Sequence, residues 1–272
     1  MQLKCKQIGP QKISYYESDG KGSPIVFVHG NSSSALTFSR QFNSPLGERY
    51  RLIALDLPGH GKSDHSSSPD ETYTLPGYAN IITEFARKTS VEDAIFIGWS
   101  LGGHILMEAA ALLQKAKGFI IFGAPPAAIP LAITDAFLPN PSLPGLFKGN
   151  LNENEIEALV SCYFNMNQTS IIELFKEDIK NTDKLAREAI GRSIGECNYR
   201  DEVNIVNNIK TPLAIIHGKD DQFVNLDYLK NLDIPSLWRN EIQTIHDSGH
   251  APHIEQAENF NILLEEFIQD TF

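Results

Sequence analysis

Unbroken apolar runs recur along the chain: IVFV at 25–28, LIAL at 52–55, IFI at 95–97, FIIF at 119–122 and LAII at 213–216. A strand with one wet face alternates apolar and polar residues. Continuous runs of this length instead predict strands covered by helices on both faces, as in a parallel sheet. Two further β-rich runs, at 12–16 and 242–245, bring the predicted strands to seven. Helical periodicity lies between and after them, including 101–114 and 256–270, so the chain reads as an α/β fold with a mostly parallel sheet.

The rhythm breaks between positions 124 and 209. That stretch opens with Pro125, Pro126, Pro130, Pro139, Pro141 and Pro144, then gives short helical patterns at 153–162, 170–180 and 183–194. It is too short and interrupted for a separate second domain. It predicts a helical cap (124–209) inserted into a core made of 1–123 and 210–272.

Composition narrows the function. The 272 residues carry a formal charge of −11, which repels nucleic acid and anionic lipid. No run is long and apolar enough to span a membrane, and the N-terminus lacks the apolar core of a signal peptide. Cys5, Cys162 and Cys197 are odd in number and widely spaced, which predicts free thiols and a cytoplasmic location rather than a disulfide framework.

Gly98-Trp99-Ser100-Leu101-Gly102 fits G-x-S-x-G, the nucleophile elbow. A serine aimed outward from a tight strand-to-helix turn needs a strained backbone, and the flanking glycines remove Cβ clashes. At this glycine and serine content the pattern arises by chance in about one chain in ten. A second match is present, Gly191-Arg192-Ser193-Ile194-Gly195. Context separates them: Ser100 follows a strand and precedes a helix, whereas Ser193 ends a helical pattern with glycines that read as a helix stop.

His29-Gly30-Asn31 follows the strand at 25–28. There the backbone N–H of Asn31 can join that of Leu101 to hold an oxyanion. Asp56-Leu57-Pro58-Gly59-His60-Gly61-Lys62-Ser63 ends like a phosphate loop, but position 56 is Asp where that motif needs Gly, so a structural turn is expected.

A hydrolytic serine needs a base, and the base an orienting acid. His250 follows the last predicted strand, at the carboxyl end where such sheets collect functional groups. His217 and His246 read as structural residues inside strands. His104 lies on the helix after Ser100, and His29 and His60 sit in turns. His250 and His253 form HxxH without the glutamate of HExxH, so no metal is expected. The loop after the strand at 213–216 offers Asp220 and Asp221, and either would serve as the acid. The order Ser…Asp…His is that of the α/β-hydrolases.

Taken together, HGNSSS, DLPGHGKSD, GWSLGGH, GAPP, HGKDDQFV and DSGHAPHIEQAENF resemble the α/β-hydrolase fold superfamily over nearly the whole chain. Within it the chain most resembles the α/β-hydrolase-type N-acyl-homoserine lactonases, with which it shares HGNSSS, GWSLGGH and a stretch like LDYLKNLDIPSLW. The resemblance implies Ser100 as nucleophile, His250 as base, Asp221 rather than Asp220 as acid, and an oxyanion hole at Asn31 and Leu101. It implies no cofactor and a small-molecule ester or lactone as substrate. A general carboxylesterase, a C–C bond hydrolase and a non-catalytic ligand receptor share the same core motifs.

If Ser100 is the nucleophile, a fluorophosphonate probe attaches to Ser100 alone, and Ser100→Ala abolishes turnover. Label on Ser193, located by peptide mass spectrometry, contradicts the assignment.

Overall fold

In a computed structural model of the protein, which describes residues 1–130, 132–164 and 169–272, every apolar run named above is a strand. Eight strands form one sheet: β1 (Gln2–Ile8), β2 (Gln11–Glu17), β3 (Pro24–Val28), β4 (Arg51–Leu55), β5 (Ile95–Trp99), β6 (Gly118–Phe122), β7 (Leu213–Gly218) and β8 (Gln243–Ile245). Their spatial order is β1-β2-β4-β3-β5-β6-β7-β8. The pairs β1–β2 and β2–β4 are antiparallel and the rest are parallel.

Sequence pattern missed β1. Its residues QLKCKQI are exposed over most of their length, so pairing with β2, not an apolar face, holds it at the edge. The central strands are buried throughout, as their runs predict. Each fully buried Ile, Leu or Phe in them is worth about 1.5–3 kcal/mol relative to exposure.

Helices pack on this sheet. In α1 (Leu75–Lys88), Thr74 caps the first turn by accepting from the Gly77 N–H, and Leu75, Tyr78, Ile82 and Phe85 face inward at helical spacing. The predicted helix at 101–114 is shorter, α2 (Leu101–Ala109). Its apolar pattern continues through a turn in which Leu113 is still buried. Among the described residues no helix is long and apolar enough to cross a membrane.

Between β6 and β7 come a short helix at Ile133–Ala136, a 3-10 turn at Leu143–Phe147, then α3 (Glu153–Tyr163), α4 (Thr169–Asn181), α5 (Lys184–Gly195) and α6 (Glu202–Asn208). Of the segment 124–209, residues 131 and 165–168 lie outside the described residues. A reciprocal pair of bonds between Asn152 and Glu155 caps α3. The unpredicted α6 is two turns long and packs against α2. The C-terminal helix, α7 (Ala257–Thr271), lies against β6, where Phe267 packs on Gly118.

Two correction points concern residues assigned from sequence. Gly191 does not stop a helix: α5 runs through it, and a Cβ there would press on Phe147 at 2.7 Å. Ser193 is a buried member of α5 whose hydroxyl donates to the Asn198 carbonyl. His246 stands exposed just beyond β8 rather than inside it.

Arg187 of α5 is only 4% exposed and reaches four places at once. Its guanidinium donates to the carbonyls of Lys148 (2.9 Å), Gly149 (2.6 Å) and Ile179 (3.0 Å), and to the Ser32 hydroxyl (3.3 Å). Burial lowers its pKa from the ordinary arginine value, yet the fan of oxygens satisfies the fork. The bond to Ser32 fastens the inserted helices to the loop after β3.

Beside this junction Asp178 of α4 accepts from the Ser34 hydroxyl at 2.8 Å. Burial pushes its carboxyl up to about 7, against the Ser34 hydrogen bond and with help from the charges of Asp56 and Glu177. In the unfolded chain it titrates near the ordinary value of about 4. Between about pH 4 and pH 7 the folded protein therefore holds a proton the unfolded chain has released, and this group makes stability fall as pH rises. Asp178→Asn keeps an oxygen for Ser34 and removes the titration. Urea unfolding should show the variant gaining stability over wild type at pH 8 relative to pH 4.5; parallel profiles contradict this.

Candidate active site

The parallel register brings the carboxyl ends of β3, β5, β6, β7 and β8 to one edge, and every site residue assigned from sequence lies there. Ser100 sits in the turn between β5 and α2 at φ 53° and ψ −119°, a conformation costly for a residue with a side chain. The turn is closed by Ser100 N–H donating to the Phe122 carbonyl (2.8 Å) and Gly103 N–H donating to that of Ser100 (2.9 Å).

Glycines make this turn possible. A Cβ at Gly98 would meet the Gly102 carbonyl at 2.5 Å, and one at Gly102 would collide with the Val28 carbonyl. A Cβ on Gly30 would lie 3.1 Å from that of Ser100, so the loop after β3 passes directly beside the serine. Leu101 opens α2, where first-turn N–H groups have no intrahelical acceptor. Asn31 spends its side chain elsewhere: Nδ2 donates to the Leu146 carbonyl at 2.7 Å, and Oδ1 accepts from the Ser32 hydroxyl at 3.0 Å.

Of the two aspartates, Asp221 reaches the histidine. Its Oδ2 accepts from His250 Nδ1 at 2.8 Å, while Oδ1 accepts from the Phe223 and Val224 N–H groups at 2.7 and 3.2 Å. Asp220 points to solvent, its N–H donating to the Ser248 carbonyl. Burial pushes the Asp221 carboxyl up, but the His250 charge and hydrogen bond, with the Phe223 N–H, outweigh it and hold it below the usual range.

His250 is fixed on several sides. Its ring stacks on Tyr163 (centroids 5.6 Å) and meets Phe223 edge-on (5.0 Å), and Trp99 Nε1 donates to its carbonyl at 2.8 Å. Gly123, at φ 63°, lies against the ring: a Cβ there would stand 2.7 Å from Cε1 and 3.1 Å from Nε2. With Nδ1 bound to Asp221, Nε2 is the nitrogen left for chemistry.

Two other histidines near the site have structural partners. Leu57 N–H donates to His29 Nε2 (2.9 Å), so His29 carries its proton on Nδ1 and donates it to the Gly30 carbonyl (2.8 Å). Burial, with the neighbouring His60, pushes His29 down to about 3, so it is neutral. His253 is buried among Trp99, Phe38 and Phe122 and bonds the Thr37 hydroxyl. Asp56, the residue that set the phosphate-loop look-alike apart, accepts from the Ala35 and Lys62 N–H groups and closes the turn after β4.

Asn31, Ser100, Leu101 and His250 line a single cavity of about 360 Å³. Four of the large apolar residues at 137–164 also line it: Phe137, Leu143, Leu146 and Phe147. Leu159, Val160, Tyr163 and Phe164 are buried elsewhere, Tyr163 against His250. Pattern reading did not find Glu202 and Tyr199 in the wall, nor that His104 lines it. Their signal lies in contacts across about 100 residues of chain, which no local spacing carries.

A model of the alpha/beta hydrolase family matches residues 25–261, most of the chain and all the site residues above. The chain belongs to the alpha/beta hydrolase family. This hydrolase is similar along its whole length to a mutant of the N-acyl homoserine lactonase AidH solved with N-hexanoyl homoserine lactone. The two are 31% identical with a TM-score of 0.94, over 100% of this chain and 98% of the other. It is 26% identical to a 2-hydroxy-6-oxononadienedioate/2-hydroxy-6-oxononatrienedioate hydrolase of Paraburkholderia phymatum, over 96% of this chain and 92% of that one. It is also 26% identical to the pimeloyl-[acyl-carrier protein] methyl ester esterase of Xylella fastidiosa, over 93% and 98%.

Replacing the acid of a protease triad by its amide lowers kcat by about 10⁴-fold. Asp221→Asn should therefore cripple the hydrolase while Asp220→Asn stays within about twofold of wild type. The reverse order of the two kcat values contradicts the geometry.

Proposed function

We propose that the protein hydrolyses a carboxylic ester in ring form, an N-acyl homoserine lactone, through an acyl-enzyme on Ser100. The observation that carries the reading is the Asp221–His250 pair at 2.8 Å, opening with Ser100 onto one largely apolar cavity. The full-length likeness to AidH supports the choice of lactone among ester substrates.

In this mechanism His250 Nε2 takes the Ser100 hydroxyl proton as the oxygen attacks the lactone carbonyl. The backbone N–H groups of Asn31 and Leu101 hold the developing oxyanion. Asp221 keeps the His250 proton on Nδ1 and stabilises the imidazolium. As the ring C–O bond breaks, His250 returns its proton to the leaving oxygen, which stays tethered to the acyl group. A water deprotonated by His250 then attacks the acyl carbon, the bond to Ser100 Oγ breaks as His250 returns that proton to Oγ, and one ring-opened hydroxy acid leaves. No step calls for a cofactor. The segment 124–209 acts as a cap whose apolar wall receives the acyl chain. The three cysteines are free thiols, as a cytoplasmic enzyme would carry them.

Each buried methylene is worth about 0.8 kcal/mol, so two extra carbons should raise kcat/KM roughly tenfold until the cavity is full. A homologous series of N-acyl homoserine lactones, assayed beside p-nitrophenyl acetate, should show that rise and a plateau. A flat series with efficient p-nitrophenyl acetate cleavage points to a general esterase. Turnover only of a vinylogous diketone acid points to C–C bond hydrolysis.

A further inference from the structure

The cavity wall is apolar apart from a few groups, and one of these is a paired histidine and glutamate that the mechanism does not use. His104 lies four residues after Ser100, and its N–H donates to the Ser100 carbonyl at 3.3 Å. It therefore stands one helical turn along α2, about 6 Å from the nucleophile's Cα. Glu202, at the start of α6, is 0% exposed, yet it too lines the cavity wall. Its carboxylate accepts from His104 Nδ1 at 2.8 and 3.1 Å and from the Ala127 N–H at 2.7 Å.

With Nδ1–H donated to Glu202, Nε2 is the ring's remaining polar atom, and in a neutral imidazole that atom is an acceptor. Other polar residues of the wall are committed: Tyr199 donates to the Ala128 carbonyl at 3.0 Å, and Asn31 donates to that of Leu146. His104 is only partly buried, so this edge is open to the cavity and can bond a ligand there. Pockets of this kind use a few such groups to orient a ligand.

We infer that His104, held by Glu202, accepts a hydrogen bond from the amide N–H that an N-acyl homoserine lactone carries beside its scissile carbonyl. The nitrogen is bonded to the carbon next to that carbonyl, so a substrate seated on Ser100 brings its N–H to the first turn of α2. This subsite rests on the lactonase reading and sharpens it, since it selects lactones bearing a secondary amide over alkyl lactones of the same size. It also assigns Glu202 as a positioning residue, acting through the tautomer and orientation of His104.

The alternative is that the pair only braces α6 against α2, much as the Glu202 N–H bond to the Ala127 carbonyl (2.9 Å) ties α6 to the segment after β6. Substrate pairs separate the two. N-hexanoyl homoserine lactone is compared with its N-methyl amide and with an α-alkyl-γ-butyrolactone of matched length, on wild type and on His104→Leu. A neutral hydrogen bond of this kind corresponds to about a tenfold effect. Wild type should prefer the N–H compound over both analogues by about that factor, mostly in KM, since the contact exists before the transition state. His104→Leu should lose that preference. The wild-type comparison needs no variant, so poor folding of His104→Leu leaves the test intact. Equal kcat/KM for the N–H and N-methyl compounds on wild type, or equal losses on all three lactones in the variant, overturns the subsite alone. Failure of wild type to open any of the lactones overturns the lactonase reading, and the subsite with it.

Discussion

A serine held at φ 53° between a buried strand and a buried helix needs its surroundings to enforce the turn, and most of the site follows from that need. The β5–β6 ladder fixes one side through the Phe122 carbonyl. Gly98 and Gly102 leave room where any side chain would collide with backbone, and a Cβ on Gly30 would crowd Trp99 and Ser100. The close passage at Gly30 sets the Asn31 main chain beside the serine. The Asn31 main chain and Ser100 are thus placed by one constraint, not by independent contacts. Because β5 is central and covered on both faces, the turn is anchored in the least deformable part of the sheet.

The second half of the site is brought to the first by loops after β7 and β8, and these loops are stitched to each other. Lys219 and Asp220 N–H groups donate to the Ile245 and Ser248 carbonyls, and Gly218 is packed against the Gly249 carbonyl. Asp221 and His250 are therefore carried on two loops tied to each other. The segment between β6 and β7 touches these residues at several points: among them, Tyr163 stacks on His250, and Asn31 and Ser32 are bonded to Leu146 and Arg187. The helices between β6 and β7 are thereby linked to both His250 and the loop at Asn31.

How much of this was legible in the sequence depended on whether the cause of each feature was local. Five strands were readable because burial on both faces writes continuous apolar runs, and β2 and β8 because their residues are β-rich. β1 was not, because an exposed edge strand is held by backbone pairing that leaves no apolar mark. The elbow was readable because glycine spacing records a steric need within five residues. Asp220 and Asp221 looked alike because what separates them is a partner 29 residues away; the family resemblance favoured Asp221, and the structure places its carboxylate on His250. Glu202 and Arg187 went unnoticed for the same reason. A buried charge looks like any surface charge until its distant partners are known.

The central claim is that Ser100, His250 and Asp221 act together on a lactone carbonyl seated under the helices between β6 and β7. A crystal structure of Ser100→Ala with N-hexanoyl homoserine lactone tests it most directly. The account predicts the ring carbonyl carbon over position 100, its oxygen within hydrogen-bonding distance of the Asn31 and Leu101 N–H groups, and the acyl chain along Phe137, Leu143 and Phe147. A lactone bound with its carbonyl turned away from those N–H groups, or bound outside this cavity, would contradict it.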